Sequence, residues 1–499
     1  MDVFVSKDDV ADVLFGKEYF VLNPETRDAK AERAQDGFWI GPHVLDTWDF
    51  TTNSQSPCVD SINHGTKVAG MAIYEGDVMN QQPTCKVAAV KLFEGPSFHG
   101  NMMDCLVQTV NRFKSKCRVF NLSFSGGGPD PSLSLALDDL AFRENVVLVA
   151  CAGNIDPKTV VSELQQGNYY PDYILRYPVF FPGDCYNALT VGSVTGKDSN
   201  LVQRRHPSPF TRSNSFISKV KPEVLAEGGN LNLERIGGQI TGTNYLGCGI
   251  LSTSNDDNKI EEDVGTSFSC PMVASIAASL ADKFKDHSIC FYKALILSSC
   301  EQLRDASSRT FDLALQGFGV PSRLYALYSN FWRATLYSES AFDLKNRNQL
   351  HRYRFLFPDI ANRVRITLCY DVEPLLGSGE LPYTLLVRPH KPGTSFETAI
   401  RPNIEIPQGE SNAKQYEYSV QRGGKGPWAV DVYPKVGPEL FADPSRLSGR
   451  IIRYALVITI QSDKRRSVYD KISAFARKGP PRQTGQQAAT VSPEIRLQA

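Results

Sequence analysis

Three polar side chains, far apart in the chain, have the types that acyl transfer needs. Ser267, in Gly265-Thr266-Ser267-Phe268-Ser269-Cys270-Pro271-Met272, offers a hydroxyl nucleophile. His64, in Asn63-His64-Gly65-Thr66-Lys67-Val68-Ala69-Gly70, offers a general base, and Asn154, closing Val149-Ala150-Cys151-Ala152-Gly153-Asn154, offers an amide donor. A serine becomes nucleophilic when a base takes its proton, and the tetrahedral oxygen formed by its attack is stabilised by N–H donors aimed at it. The backbone N–H of Ser267 is the natural second donor beside the Asn154 carboxamide.

Those groups must be held by the ends of regular elements. Gly265 can take turn angles closed to other residues, and the Ala/Ser-rich run to Leu280 reads as a buried helix that lets its neighbours approach closely. Pro271 is read as falling in an early turn, where no hydrogen bond is lost. Ser267 then stands at the mouth of that helix, where free N–H groups and the positive end of the dipole favour an oxyanion. His64 opens a second helix, and Val146 to Cys151 is an apolar strand that ends just before Asn154. Taken singly each motif has a plainer explanation: small residues that pack, a structural histidine, a turn-forming asparagine. Their order and company carry the chemical reading.

The same blocks resemble the His, oxyanion-Asn and Ser motifs of the subtilisin-like serine peptidases, the subtilases. Asn121-Leu122-Ser123-Phe124-Ser125-Gly126-Gly127 resembles the strand that in this family pairs with substrate and walls the pocket for the residue before the cut. The resemblance runs from about Asp36 to Ala326. It implies a doubly wound parallel α/β sheet, hydrolysis of peptide bonds through an acyl-enzyme, a polypeptide substrate, and substrate contacts at Ser123, Phe124, Ser125 and Gly126. Calcium is frequent in the family, but no ligand set is assigned: Asp256-Asp257 and Glu261-Glu262-Asp263 read as a solvated loop. An α/β-hydrolase esterase is disfavoured, because Ser269 breaks the G-x-S-x-G elbow and the histidine precedes the serine.

The chain departs from the family at the carboxylate that should orient the histidine. No apolar strand followed by Asp-Ser/Thr-Gly precedes His64. Asp36 has the wider separation and a following Gly37 but a poor strand before it; Asp46 has Val44-Leu45 before it and Thr47 after it but lies close to His64. Asp36 is the first choice and Asp46 the alternative, and a chain with no such aspartate is the third. In that last case a subtilase-fold module that binds peptides or a partner, with impaired catalysis, is the rival reading.

Around these motifs the chain alternates strand and helix, with strands at Val87–Phe93, Val119–Phe124, Val146–Cys151 and Ala188–Val194 and helices at Met103–Lys114 and Pro131–Arg143. Residues 1–35 are read as an N-terminal segment with helical stretches at Val3–Leu14 and Arg27–Ala34 and a strand at Tyr19–Leu22. The peptidase domain is assigned to 36–330, with Cys290–Leu303 as its closing helix. Residues 331–478 read as an antiparallel β-sandwich, and 479–499 as a disordered tail.

Lys plus Arg equals Asp plus Glu at 54 each, so neither nucleic acid nor a membrane surface is expected as a partner. The eleven cysteines, without C-x-x-C pairs, predict reduced buried thiols. The first residues lack the basic start and apolar run of a signal peptide, which predicts an intracellular protein; the resemblance implies secretion if a leader has been lost. The remaining histidines, His43, His99, His206, His287, His351 and His390, have no motif around them.

Overall fold

The structure, a computed structural model, describes residues 2–4, 11–15, 43–55, 60, 63–76, 78, 83–94, 97–98, 100–128, 130–214, 219–255, 260–304, 311–345, 349–374, 383–390, 404–405, 411–420, 425–436, 449–478, 490–491 and 494–498. The chain divides into two compact units, residues 1–287 with 300–321, and 288–299 with 322–499.

The first unit is built on parallel strands. β1 (Asp2–Phe4), β2 (Ala11–Phe15), β3 (Val44–Asp49) and β4 (Cys85–Lys91) form one sheet in the order β1-β2-β4-β3, in which only the β1–β2 pair is antiparallel. β5 (Val119–Leu122), β6 (Val147–Cys151), β7 (Leu189–Val194) and β8 (Val224–Glu227) form a second, all-parallel sheet in the order β8-β7-β6-β5. Every residue of β5, β6 and β7 is buried, the pattern of strands covered on both faces, and it suits the wholly apolar run of β6. α1 (His64–Ile73), α2 (Met102–Phe113) and α3 (Pro131–Glu144) connect successive strands. This is the doubly wound parallel architecture that the alternation predicts.

The helix expected over Val3–Leu14 is instead the strand pair β1 and β2. Val-Phe and Val-Leu-Phe clusters suit strands, and β2 gains the parallel partner β4 from far along the chain. The expectations at Tyr19–Leu22 and Arg27–Ala34 lie outside the described residues.

The second unit contains two largely antiparallel sheets. β11 (Arg363–Tyr370) lies between β13 (Ala413–Ser419) and β15 (Ile451–Gln461), with β9 (Arg333–Asp343) beyond β15; β14 (Gly426–Val436) lies between β10 (Leu350–Phe357) and β12 (Tyr383–His390). Alternate residues of β10 are buried, the two-residue period of a sheet with one covered face.

A long helix (Ile289–Ser299), expected to close the first domain, packs within this second unit. All eleven of its residues are buried, as its mostly apolar sequence requires. Its last carbonyls are met by side chains of the strands: Arg333 Nη2 and Arg365 Nη1 donate to Ser298 O at 3.0 and 2.9 Å, and Gln415 Nε2 donates to Leu297 O at 2.9 Å. Cations and amide donors at a helix C-terminus satisfy its orphan carbonyls and complement its dipole.

The tail departs from the expectation of disorder where it is described. Leu497 pairs with Leu336, Gln498 N donates to Thr335 O at 2.8 Å, and the Gln498 side chain donates to Ala326 O at 2.6 Å. Among the described residues ten cysteines are buried and in no disulfide, and no helix is long and apolar enough to cross a membrane.

Candidate active site

Ser267 is the second residue of α4 (Thr266–Lys283). The helix begins early enough that Pro271 lies inside it, which corrects the expectation that this proline is harmless. A residue at 271 would normally donate its N–H to the carbonyl of residue 267, and proline has none to give. Ser123 Oγ supplies the missing donor, at 2.8 Å from Ser267 O. In return Ser267 Oγ donates to Ser123 O at 3.2 Å, so the helix start and the segment after β5 are tied by a reciprocal pair. The Ser267 hydroxyl is half-buried, and the Ser267 N–H meets no acceptor among the described residues.

Asn154 follows β6, its backbone held between Ile155 N donating to Phe210 O at 2.6 Å and Arg212 N donating to Gly153 O at 3.2 Å. Its side-chain Oδ1 accepts from both Thr266 N, at 2.9 Å, and Thr266 Oγ1, at 3.0 Å. A backbone N–H can only donate, so the atom facing it is the carbonyl oxygen and the amide orientation is set. Thr266 Oγ1 also accepts from Gly153 N at 3.1 Å. The amide nitrogen is thereby turned to the Gly265 side, where a Cβ on Gly265 would lie 3.2 Å from it. Glycine at 265, with φ of 154°, keeps that approach open.

His64 is the first residue of α1. The start of this helix is heavily anchored. Asn63 holds a left-handed conformation (φ 60°), and its carboxamide donates to Ser254 Oγ at 3.0 Å and Glu261 Oε2 at 2.8 Å while accepting from Asn255 N at 2.7 Å. Buried Asp60 accepts from Thr66 N and Thr66 Oγ1, both at 2.7 Å, a carboxylate at a helix N-terminus where the dipole favours it. The imidazole lies against the Phe268 ring, centroids 5.6 Å apart, which brings it to the residue next to Ser267.

The two candidate aspartates part company. Asp36 lies outside the described residues. Asp46 sits within β3 and is committed elsewhere: Lys116 Nζ at 2.7 Å, Gln55 Nε2 at 2.9 Å and Thr47 N at 2.8 Å all donate to it. Burial pushes its carboxyl up, but these donors outweigh burial and hold it below the ordinary range.

Of the expected substrate wall, Ser123 is buried and bound to the helix start, and Phe124 turns inward against Phe93 and Phe181, ring centroids 5.8 and 6.3 Å away. Gly126 N donates to Phe181 O at 2.8 Å. Ser125 is exposed, and neither its N–H nor its carbonyl has a partner among the described residues. Gly153 packs across from it: a Cβ there would lie 2.8 Å from Ser125 Oγ, and the glycine holds φ of 86°.

The acidic stretch after 259 is not a solvated loop. Ile260–Asp263 pairs with Ile250–Thr253, Lys67 Nζ lies 3.0 Å from Glu261 and 2.9 Å from Asp263, and Lys197 Nζ lies 3.2 Å from Glu262. Burial lowers the affinity of Lys67 for its proton, but Asp263 and Glu261 more than restore it. Asp256 and Asp257 lie outside the described residues. Among the described residues no three His, Cys, Asp or Glu side chains gather as a metal site.

Sequence reasoning passed over Thr266, Asp60 and Asn63, which position the groups it named. The available signal was placement: Thr266 stands between the turn glycine and the serine, and Asp60 and Asn63 just precede the histidine helix, where capping residues are expected.

The Subtilase family model matches residues 41–319. An uncharacterised protein, y4bN, of Sinorhizobium fredii (strain NBRC 101917 / NGR234) is 28% identical over 292 residues, covering 51% of this chain and 67% of that protein. Among solved structures, a cold-adapted subtilisin-like serine proteinase has 18% identity and a TM-score of 0.39, covering 59% of this chain and 84% of that one. The S41 psychrophilic protease has 17% identity and a TM-score of 0.40, covering 62% and 89%.

Proposed function

We propose that this chain, which belongs to the subtilase family of serine peptidases, cleaves internal peptide bonds through an acyl-enzyme on Ser267. In this reading His64 takes the Ser267 proton as Oγ attacks the scissile carbonyl, then gives it to the leaving amine. The oxyanion is bound by Asn154 Nδ2 and the Ser267 N–H, and water, activated by the same imidazole, releases the acid product. An extended peptide adds as a strand beside Ser125, whose N–H and carbonyl are free to pair with it.

The observation that carries the reading is the Thr266 lock on Asn154. Two donors fix Oδ1, and the amide nitrogen is left presented beside the serine helix start. For the reaction Ser267 Oγ must exchange the Ser123 carbonyl for the imidazole, a rotation between staggered wells. Hydrogen bonds in unliganded sites commonly tighten only when substrate binds. The test is turnover of a fluorogenic peptide mixture by the wild type and by Ser267→Ala. The expected loss is on the order of 10⁶-fold for a triad nucleophile; equal activity in the variant refutes the proposal.

The bond from Ser267 Oγ to Ser123 O also favours a second reading, a peptide-binding module without turnover. Peptide binding with no Ser267-dependent hydrolysis would select it.

A further inference from the structure

Arg212 is a charged side chain at the Ser125–Gly153 wall that the proposed chemistry does not use. Its backbone pairs with Gly153, and its side chain doubles back over the same stretch. Nε donates to Asn154 O at 3.1 Å and Nη1 donates to Pro178 O at 3.1 Å, while the guanidinium lies 4.5 Å from the centre of the Phe180 ring. A Cβ on Gly153 would lie 3.1 Å from Arg212 Cδ and 2.8 Å from Ser125 Oγ, so three residues converge at one point of the wall. The chain thus carries a fixed, half-buried cation there.

Among the described residues this cation meets no counter-charge. Among the described residues no carboxylate lies within ion-pair distance of Arg212, and Nη2 meets no acceptor. A guanidinium presents five donors in a planar fork suited to a carboxylate, and here only two are engaged, both by neutral backbone oxygens. The aromatic face and the two carbonyls fix the fork without neutralising it. Holding a half-buried cation in this way makes sense where the counter-ion arrives with a ligand.

We propose that Arg212 selects peptides with an acidic side chain, Asp or Glu, at the residue that docks against the Ser125–Gly153 wall, which in the peptidase reading is the residue before the cut. The proposal rests on the peptidase reading for its position relative to the scissile bond, but it concerns binding and is tested separately. Matched peptides carrying Glu, Gln or Phe at that residue are titrated by fluorescence anisotropy against the full chain bearing Ser267→Ala, and against the same chain with Arg212→Gln added. Glu is expected to bind roughly 10- to 100-fold more tightly than Gln, the range for a charge-assisted hydrogen bond, and Arg212→Gln is expected to bring that ratio close to one. The same Glu-to-Gln ratio is then measured in kcat/KM with the wild type.

Acidic preference in binding without hydrolysis keeps the inference and removes the peptidase reading. Hydrolysis with no Glu preference does the reverse. Equal binding of Glu and Gln peptides, binding of neither, or a preference that survives Arg212→Gln overturns the inference. Because the first comparison uses unaltered Arg212, it decides the matter even if the Arg212 variant fails to fold.

Discussion

The stretch just past β6 and the middle of β3 each place a polar residue at a strand of a parallel sheet, and they use it in opposite ways. Asn154 is gripped through its oxygen: Thr266 N and Oγ1 both donate to Oδ1, and the amide nitrogen is left on the Gly265 side. Asp46 is enclosed by donors on both oxygens, Lys116 on one and Gln55 with Thr47 on the other. The strand supplies a location, and the neighbours decide whether a polar group is offered or consumed. Motif matching sees only the first of these.

That contrast can be broken at four points, in descending order of effect. Asp36→Asn is expected to lower kcat by about 10⁴-fold, the scale of losing the orienting carboxylate of a catalytic histidine; wild-type turnover would remove Asp36 from the reaction. Asn154→Ala should lower kcat by about 10²- to 10³-fold with little change in KM, as for loss of one oxyanion donor. Thr266→Val removes the hydroxyl from the lock but keeps the backbone donor, so kcat should fall only about 10-fold, the worth of one hydrogen bond. Steady-state kinetics on a single peptide separates these outcomes.

Asp46→Asn is the counter-test. It should leave kcat within about threefold and reduce stability by less than about 1 kcal/mol, because Lys116 in the lost ion pair is about half exposed to solvent. The folded carboxyl is held below its unfolded value, so what stability it adds is present above the unfolded pKa and lost as the pH falls through the folded one. Denaturant melts of wild type and variant should therefore converge toward acid pH. A 10⁴-fold loss of kcat in Asp46→Asn would restore Asp46 to the reaction.

Much of the first unit was legible because its signals are local. Gly-Thr-Ser before a helix, His-Gly-Thr opening another, and an apolar run ending in Gly-Asn each name an element and its boundary within a few residues. The unreadable parts depend on partners distant in sequence. β2 is a strand because β4 lies beside it, and residues 3–14 alone fit a helical period as well. Pro271 is tolerated inside α4 because Ser123, remote in the chain, replaces its missing donor. The helix at Ile289–Ser299 was recognisable as a helix, but its place in the second unit follows from Arg333, Arg365 and Gln415 at its C-terminus. The acidic run Glu261–Asp263 read as solvated because Lys67 and Lys197 are far away in sequence.

The central claim, that the Ser267 hydroxyl is an activated nucleophile served by His64, is tested most directly by labelling the folded protein with a fluorophosphonate probe and mapping the adduct by peptide mass spectrometry. A single adduct on Ser267, lost in His64→Ala while that variant keeps the wild-type circular dichroism spectrum, is the predicted result. Folded wild-type protein that takes up no probe, or labelling of Ser267 at the same rate without His64, would contradict it.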